Sequence, residues 1–174
     1  MSLAALIFAL QISLPATLEG KWLSACVDGK AEGIPLELPV NRVRVSASFY
    51  GARTSLEYLL YTDSECAVPQ SKYAWQGSYE ATENRAENST GIIKARFDRA
   101  LLMPLSAEAV DELNLVGAYC GGADWQVGDL RDVTACDHRV IGKTIQSSVR
   151  VLDKDTVRIE SGTAGLLLNR NQSL

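Results

Sequence analysis

The sequence predicts an all-β fold, an antiparallel up-and-down barrel of about eight strands with one short helix. Three observations point to it. Consecutive stretches alternate apolar and polar residues with period two, which is typical of strands with one buried face. Short turns join these stretches, as in a meander and unlike βαβ units. A Gly20-x-Trp22 segment, with Cys26 just behind it, opens the first strand as small antiparallel barrels often begin.

The first half of the chain carries the clearest alternation. Residues 42–50, 54–62, 72–80 and 91–98 are each predicted to form a strand with one buried face. Gly77 lies in the middle of the third strand and predicts a bulge or a sharp bend there. The apolar faces of these strands supply the predicted interior: Val43, Val45, Ala47, Phe49, Leu56, Tyr58, Leu60, Tyr73, Trp75, Tyr79, Ile93 and Phe97.

The second half of the chain mixes strands with one helix. Ser106 is a suitable N-cap for a short helix over 107–113, which has acidic residues near its start. The remaining predicted elements are, in order, extended chain over 115–120, a turn at Gly121-Gly122, one or two strands within 125–136, a hairpin of 144–152 and 156–160, and a last strand over 165–169.

The N-terminal stretch reads as a secretory signal. Residues 2–16 carry no charge, have an apolar centre and are too few to span a bilayer, and Pro15-Ala16 offers a small residue at a cleavage point. We therefore predict a signal peptide over 1–16, one barrel domain over 17–174, no transmembrane segment and a secreted or periplasmic protein. The alternative is an N-terminal helix that caps the domain.

Cysteine usage agrees with an oxidising compartment. Cys26, Cys66, Cys120 and Cys136 allow three pairings. We favour Cys26–Cys66 and Cys120–Cys136, because the members of each pair are nearest in the expected strand order. Buried free thiols are the alternative. A metal site would need a C-x-x-C or histidine-rich spacing, which the sequence lacks.

The charge and composition of the chain limit the classes of function that we expect for it. The 174 residues suit one domain, and 47% hydrophobic with 22% charged residues is ordinary globular composition. The formal net charge is −4, whereas binding to nucleic acid phosphates favours a basic surface. We expect no nucleic-acid partner and no cofactor.

Candidate catalytic groups are few. His138 beside Asp137 suggests a nucleophilic triad, but no G-x-S-x-G elbow accompanies them. Two pairs of nearby carboxylates, at Asp63 with Glu65 and at Asp129 with Asp132, are too sparse for a calcium loop. We interpret His138 and the two carboxylate pairs as surface groups and predict that the protein is not an enzyme.

A family resemblance emerges from motifs that extend from residue 18 to residue 169. Leu18-x-Gly20-x-Trp22-x-Ser24-x-Cys26 resembles the opening of the lipocalin-like domain of the adenomatosis-polyposis-coli-down-regulated family of Wnt antagonists. The likeness continues in Tyr61-x-Asp63-x-x-Cys66-x-x-Pro69, Gly77-x-Tyr79, Ala109-Val110-x-x-Leu113-Asn114, Cys120-Gly121 and Trp125-x-x-Gly128-x-x-x-Asp132-Val133-Thr134.

The resemblance implies a secreted barrel with an apolar cavity that accepts an acyl chain, and a disulfide near the N-terminal strand. Family members carry two such domains and a membrane anchor, so this chain would be a stand-alone single-domain homologue. In such barrels a tryptophan closes one end beneath an arginine. Trp22 would take this place, with Arg158 stacked on it, or else Arg42 or Arg150.

Two functions follow as hypotheses. The first is a secreted lipocalin-like protein that binds an apolar small molecule or acyl chain. Its predicted ligand contacts are Phe49, Leu56, Tyr58, Leu60, Tyr73, Trp75, Tyr79, Ile93 and Phe97, although the same residues would also fill a solid core. The second is an extracellular or envelope interaction module with a filled core, which would contact a protein partner through loops 29–39 and 120–136.

Overall fold

Ten strands and two α-helices form within the part of the chain that the structure describes. The structure is a computed structural model that describes residues 14–29, 41–83, 89–115, 120, 122–161 and 164–170. The elements are α1 (Leu14–Leu18), β1 (Gly20–Ser24), β2 (Val27–Asp28), β3 (Arg42–Tyr50), β4 (Arg53–Tyr61), β5 (Pro69–Glu83), β6 (Thr90–Pro104), α2 (Ala107–Leu115), β7 (Arg131–Asp132), a 3-10 helix (Thr134–Cys136), β8 (Thr144–Asp153), β9 (Thr156–Ser161) and β10 (Ala164–Arg170).

Eight of the strands close into a barrel in which every pairing is antiparallel. The hydrogen-bonded order is β1-β10-β9-β8-β6-β5-β4-β3, and β1 also pairs with β3 to complete the circle. At the seam, Trp22 of β1 lies opposite Ala47 of β3 on one side and Arg170 of β10 on the other. The two-residue strands β2 and β7 extend the sheet beside β3 and β6. The predicted up-and-down, lipocalin-like barrel is confirmed.

Strand β6 runs six residues beyond its predicted end, and a bulge explains the error. Gly77 pairs with Phe97 but Gln76 pairs with Arg99, so Asp98 is the extra residue. Phe97 and Ala100 therefore both face inward, which breaks the period of two on which the prediction relied. The bulge predicted at Gly77 is thus confirmed. A Cβ atom there would lie 2.1 Å from the Arg96 carbonyl oxygen, so only glycine fits.

The segment between α2 and β8 differs most from prediction. Of the strands expected within 125–136, only the two residues of β7 form. The backbone of Trp125 is hydrogen-bonded to the Asn114 side chain, which accepts from its N–H at 3.0 Å and donates to its carbonyl at 3.3 Å. These bonds replace a strand ladder. The extended chain expected at 115–120 lies outside the described residues, apart from Leu115, which ends α2, and Cys120.

Both predicted disulfides are present. Cys26–Cys66 joins the turn after β1 to the loop between β4 and β5. Cys120–Cys136 joins a residue shortly after α2 to the end of the 3-10 helix. The two disulfides suit an extracellular or periplasmic protein. Among the described helices, none combines the length and the hydropathy needed to cross a bilayer.

The barrel core consists of two clusters stacked along its axis. The α1-end cluster contains α1 and the seam tryptophan, and its buried members are Leu14, Leu18, Trp22, Ala47, Phe49, Tyr79, Ile93, Val149, Val157 and Leu168. The α2-end cluster lies under α2 and the loop that follows it, and its buried members are Val43, Val45, Tyr58, Leu60, Tyr73, Trp75, Phe97, Ala100, Leu102, Leu113, Trp125 and Val133.

Helix α1 covers one mouth of the barrel. Leu14 and Leu18 are buried against Trp22, and the Leu14 amide donates to the Glu83 carboxylate. Residues 1–13 of the predicted signal peptide lie outside the described residues, and its last three residues belong to α1. This is the packing expected for a capping helix, and cleavage after Ala16 would remove Leu14 from it.

An arginine does stack on Trp22, but it is Arg170 and not Arg158, Arg42 or Arg150. Its guanidinium carbon lies 4.5 Å from the centre of the indole ring. Two of its nitrogens donate to the carbonyls of Thr17 (2.9 Å) and Glu19 (3.0 Å) at the end of α1. The prediction of Arg158 was wrong, because this β9 residue faces outward, where it pairs with Glu160.

We expect Arg170→Ala to lower the free energy of unfolding by about 1–3 kcal/mol, because it removes a cation–π contact and two charged hydrogen bonds. Arg158→Ala is the matched control and should cost under about 1 kcal/mol, since it breaks one exposed ion pair. Urea denaturation followed by tryptophan fluorescence measures both. Equal losses for the two variants would show that Arg170 does not anchor α1.

Candidate ligand cavity

A cavity of about 370 Å³ lies inside the barrel, between the α1-end and α2-end clusters. Seven of the eight barrel strands line it, and Val140 from the segment before β8 completes the wall. The lining residues are Ala47, Phe49, Thr54, Leu56, Tyr58, Trp75, Ile93, Ala95, Phe97, Val140, Ile145, Ser147, Ile159, Ser161, Leu166 and Leu168. Its volume falls within the range of about 300–1,000 Å³ that is typical of small-molecule sites.

Six of the nine predicted ligand contacts line the cavity. They are Phe49, Leu56, Tyr58, Trp75, Ile93 and Phe97. The other three are buried but lie outside the lining. Leu60 and Tyr73 belong to the α2-end cluster, and Tyr79 belongs to the α1-end cluster. The sequence therefore identified the inner face of β3 to β6, but not which of its residues border empty space.

Small side chains at mid-height explain why the barrel is hollow there. An eight-stranded barrel is just wide enough for side chains to fill it. Ala47, Thr54, Ala95 and Ser147 line the cavity, whereas large side chains such as Trp22 and Tyr73 occupy the ends of the barrel. The four small side chains leave space that larger ones would fill. The walls formed by β8 to β10 were not predicted, because their inward residues mix serine with aliphatic side chains.

Several side chains of the cavity wall point inward but are still partly accessible to solvent. Leu56, Ala95, Ile145, Ile159 and Leu166 all line the cavity and all are only half-buried. Ser161, at the end of β9, lines the cavity and is exposed. The interior is therefore reached from the β8–β10 side of the barrel, near Ser161, and the large α2-end side chains fill the other side.

Trp75 is the centre of an aromatic group in the cavity wall. Its ring lies 5.1 Å from Tyr58 and 5.5 Å from Tyr73, both edge to face, and 5.8 Å from Phe97 in a tilted arrangement. Such geometries are favourable beyond simple burial. The group fixes the orientation of the indole face that borders the cavity.

A buried carboxyl group, Asp137, holds this wall in place. Its Oδ2 atom accepts hydrogen bonds from the Tyr73 hydroxyl and the Trp75 indole N–H, both at 2.5 Å. Its Oδ1 atom accepts from the backbone N–H of Val140 at 3.3 Å. Asp137 is only 3% exposed, and no ion pair with it occurs in the described part of the chain. It thus joins β5 to the segment that carries Val140.

The role of Asp137 was not visible in the sequence. In the sequence, Asp137 stands out only as a neighbour of His138, whose side chain is exposed. Its hydrogen-bond partners Trp75 and Tyr73 precede it by 62 and 64 residues, so no local pattern could indicate the contact. The only signal was an aspartate one residue after a disulfide cysteine, which is a weak one.

Tyr79 was predicted to contact the ligand, but its side chain packs outside the cavity lining. Its ring packs edge to face on Phe49 at 4.9 Å, and within the described residues its buried hydroxyl has no hydrogen-bond partner. Burial, and then the negative charge of Glu19, raises the pKa of the phenol. Because Glu19 lies between α1 and β1, the hydroxyl belongs to the closed end of the barrel.

The carboxylates that were considered for catalysis or calcium have structural partners. Asp63 accepts hydrogen bonds from the backbone N–H groups of Glu65, Ala67 and Val68, and the bonds from Ala67 and Val68 are the main reason that its pKa is lowered. These bonds order the β4–β5 loop. Glu65 itself is exposed.

The second carboxylate pair belongs to the loop after α2. Asp129 pairs with Arg131 at 2.9 Å, and Asp132 pairs with Arg99 at 2.9 Å. Hydrogen bonds from Thr134, followed by the one from Arg99, lower the pKa of Asp132. Among the described residues, no group of three His, Cys, Asp or Glu side chains is placed to hold a metal ion.

A second concavity, of about 460 Å³, is larger but lies on the outer face of β5, β6, β8 and β9. Its walls include Arg150, Arg158, Glu83 and Glu160, and it is open to solvent between strands whose inner faces are packed. Ligand sites are typically concave and mostly apolar. The interior cavity is therefore the candidate site, although it is the smaller of the two.

Comparison with known proteins found no protein-family model and no curated protein that matches this chain.

We expect Asp137→Ala to lower the free energy of unfolding by about 2–5 kcal/mol, because two buried donors lose a shared acceptor. His138→Ala, at the exposed neighbouring position, should change it by less than about 0.5 kcal/mol. Urea denaturation measures both. The combination with Trp75→Phe should cost less than the sum of the single changes, since the phenylalanine ring has no N–H to satisfy. Full additivity would contradict the Asp137–Trp75 contact.

Proposed function

We propose that this chain is a lipocalin-like binding protein that holds an apolar small molecule inside its barrel. One observation carries the proposal, namely a mid-barrel cavity of about 370 Å³ whose sixteen lining residues include thirteen apolar or aromatic side chains. Pockets of this volume and lining are typical of sites for small apolar molecules, with a few polar groups to orient them. A fatty acyl chain is one ligand that suits the site.

We propose further that the protein works outside the cytoplasm, as a secreted or periplasmic protein. The two disulfides support this location, since such bonds persist in oxidising compartments. We also propose that it is not an enzyme. Asp137 and His138 do not act together, because one side chain is buried under Tyr73 and Trp75 while the other is exposed.

The resemblance to the lipocalin-like domain of the Wnt-antagonist family remains part of the proposal. The residues that carry it occupy structural positions in the barrel. Trp22 lies under Arg170 at the closed end, and Cys26 is bonded to Cys66 near the opposite end. These positions support a shared architecture. The acyl-chain ligand that the resemblance implies would occupy the mid-barrel cavity.

A second candidate function is protein binding through loop 120–136. Val127 and Leu130 expose 56% and 57% of their surface there, so both large apolar side chains are available to a partner. The second loop of this chain that was predicted to contact a partner, 29–39, lies outside the described residues except for Gly29. Such a surface would act independently of the cavity, so a variant that fills the cavity distinguishes the two functions.

We expect Leu166→Trp to weaken the binding of a neutral fluorescent probe, N-phenyl-1-naphthylamine, at least about tenfold, because the larger side chain fills the cavity. Leu166 faces the cavity, whereas Leu167 is exposed on the outer face of the same strand. Leu167→Trp is therefore the matched control and should bind like the native chain. Fluorescence titration measures all three.

Urea denaturation of each protein shows whether the fold is retained. A native chain that leaves the probe unbound, or two variants that bind it equally well, would contradict a ligand site in the cavity.

A further inference from the structure

We propose that the cavity selects an uncharged ligand, such as a long-chain alcohol or ester, and rejects the carboxylate of the same chain length. This inference rests on the proposed function and adds the chemical class of the ligand. It comes from the polar groups that line the cavity and from the buried carboxyl group of Asp137 beside its wall.

The cavity wall offers hydroxyl groups but no charge. Among its described lining residues, the polar side chains are Thr54, Ser147 and Ser161, together with the hydroxyl of Tyr58, and none is an Asp, Glu, Lys, Arg or His. A hydroxyl group can donate and accept one hydrogen bond or more, which matches an alcohol, an ester or an amide. A carboxylate that enters this space loses its water and gains no cationic partner, which is strongly unfavourable.

The two serines lie together at the accessible side of the cavity. Ser148 of β8 pairs with Glu160 of β9, and the same antiparallel register continued by one residue places Ser147 opposite Ser161. Both line the cavity, and Ser161 is exposed at the end of its strand. A ligand would therefore place its polar group at this serine pair.

The rest of the ligand would extend towards the closed end. Phe49, Ile93 and Leu168 line the cavity and belong to the α1-end cluster, where all three are buried. An unbranched apolar tail can replace the missing side-chain contacts at this end, since it brings no polar atom that needs a partner.

Asp137 adds a reason to exclude anions. Its carboxyl group lies at the nitrogen-bearing edge of the Trp75 indole, whose ring forms part of the wall, and accepts hydrogen bonds from Tyr73, Trp75 and Val140. Because Asp137 accepts from the Tyr73 hydroxyl and the Trp75 indole N–H, these two donors do not serve a ligand carboxylate.

Two cationic side chains lie close in sequence to a lining residue but do not belong to the wall. Arg139 and Lys143 flank the lining residue Val140 along the chain, and both are exposed. A carboxylate that paired with them would stay in water, where ion pairs contribute little. Such a ligand would also leave part of its chain outside the cavity, so these residues do not convert the site into one for fatty acids.

The test compares three ligands with the same chain, namely 1-dodecanol, methyl dodecanoate and dodecanoate at pH 8, each titrated into the full chain by displacement of N-phenyl-1-naphthylamine. We expect the alcohol and the ester to bind at least about tenfold more tightly than the carboxylate. Equal or tighter binding of dodecanoate would overturn the inference while the proposed function stands. If the probe and all three ligands fail to bind, the proposed function itself fails.

A variant that adds a cation tests directly whether the lack of one makes the cavity reject carboxylates. Ser161→Arg places a positive charge at the exposed end of the serine pair and should tighten dodecanoate binding about tenfold, with dodecanol affected less than about threefold. Ser148→Arg is the matched control, because Ser148 is exposed on the outer face of the neighbouring strand. A similar gain in both variants would indicate general attraction to a more positive protein and would contradict the role assigned to the cavity wall.

Discussion

The double pairing of β1 is the constraint on which the rest of the structure depends. By bonding to β3 on one side and β10 on the other, β1 closes the sheet and removes its free edges. Closure with eight strands also sets the width of the interior. Once that width is set, the sizes of the inward side chains alone decide which levels of the barrel are solid and which are hollow.

Large side chains close both ends of the barrel. At one end α1 places Leu18 against Trp22, whose indole N–H donates to the Leu18 carbonyl at 2.7 Å beneath the guanidinium of Arg170. At the other end the loop after α2 places Trp125 in the core, with Arg131 stacked 4.4 Å from the centre of its ring. The same device, an arginine on a tryptophan, thus covers the barrel twice, and the unfilled volume lies between the two ends.

Much of this architecture could be predicted from the sequence because strand alternation is a local property. The bounds of β3 were predicted without error, and the hairpin of β8 and β9 nearly so. Other features depend on which strands lie side by side. To predict that Arg170 and not Arg158 stacks on Trp22 would require the register of the strands at the seam. To predict the role of Asp137 would require knowledge of contacts between residues more than sixty positions apart.

The candidate site could also be predicted only in part, because it too depends on which strands lie side by side. Alternation identifies inward residues, and six of those named for ligand contact do border the cavity. It does not reveal that small side chains from separate strands, such as Ala47, Ala95 and Ser147, border the same cavity. That coincidence depends on the stagger of the strands around the barrel and on the bulge at Asp98, which shifts the end of β6 by one residue.

The central claim is that the barrel encloses accessible apolar space, and xenon reports on it most directly, because xenon occupies dry apolar cavities. A crystal of the chain held under xenon pressure should show xenon density between Ala47, Ala95 and Leu166. Side chains that close this gap, with xenon absent from the barrel interior, would contradict the account.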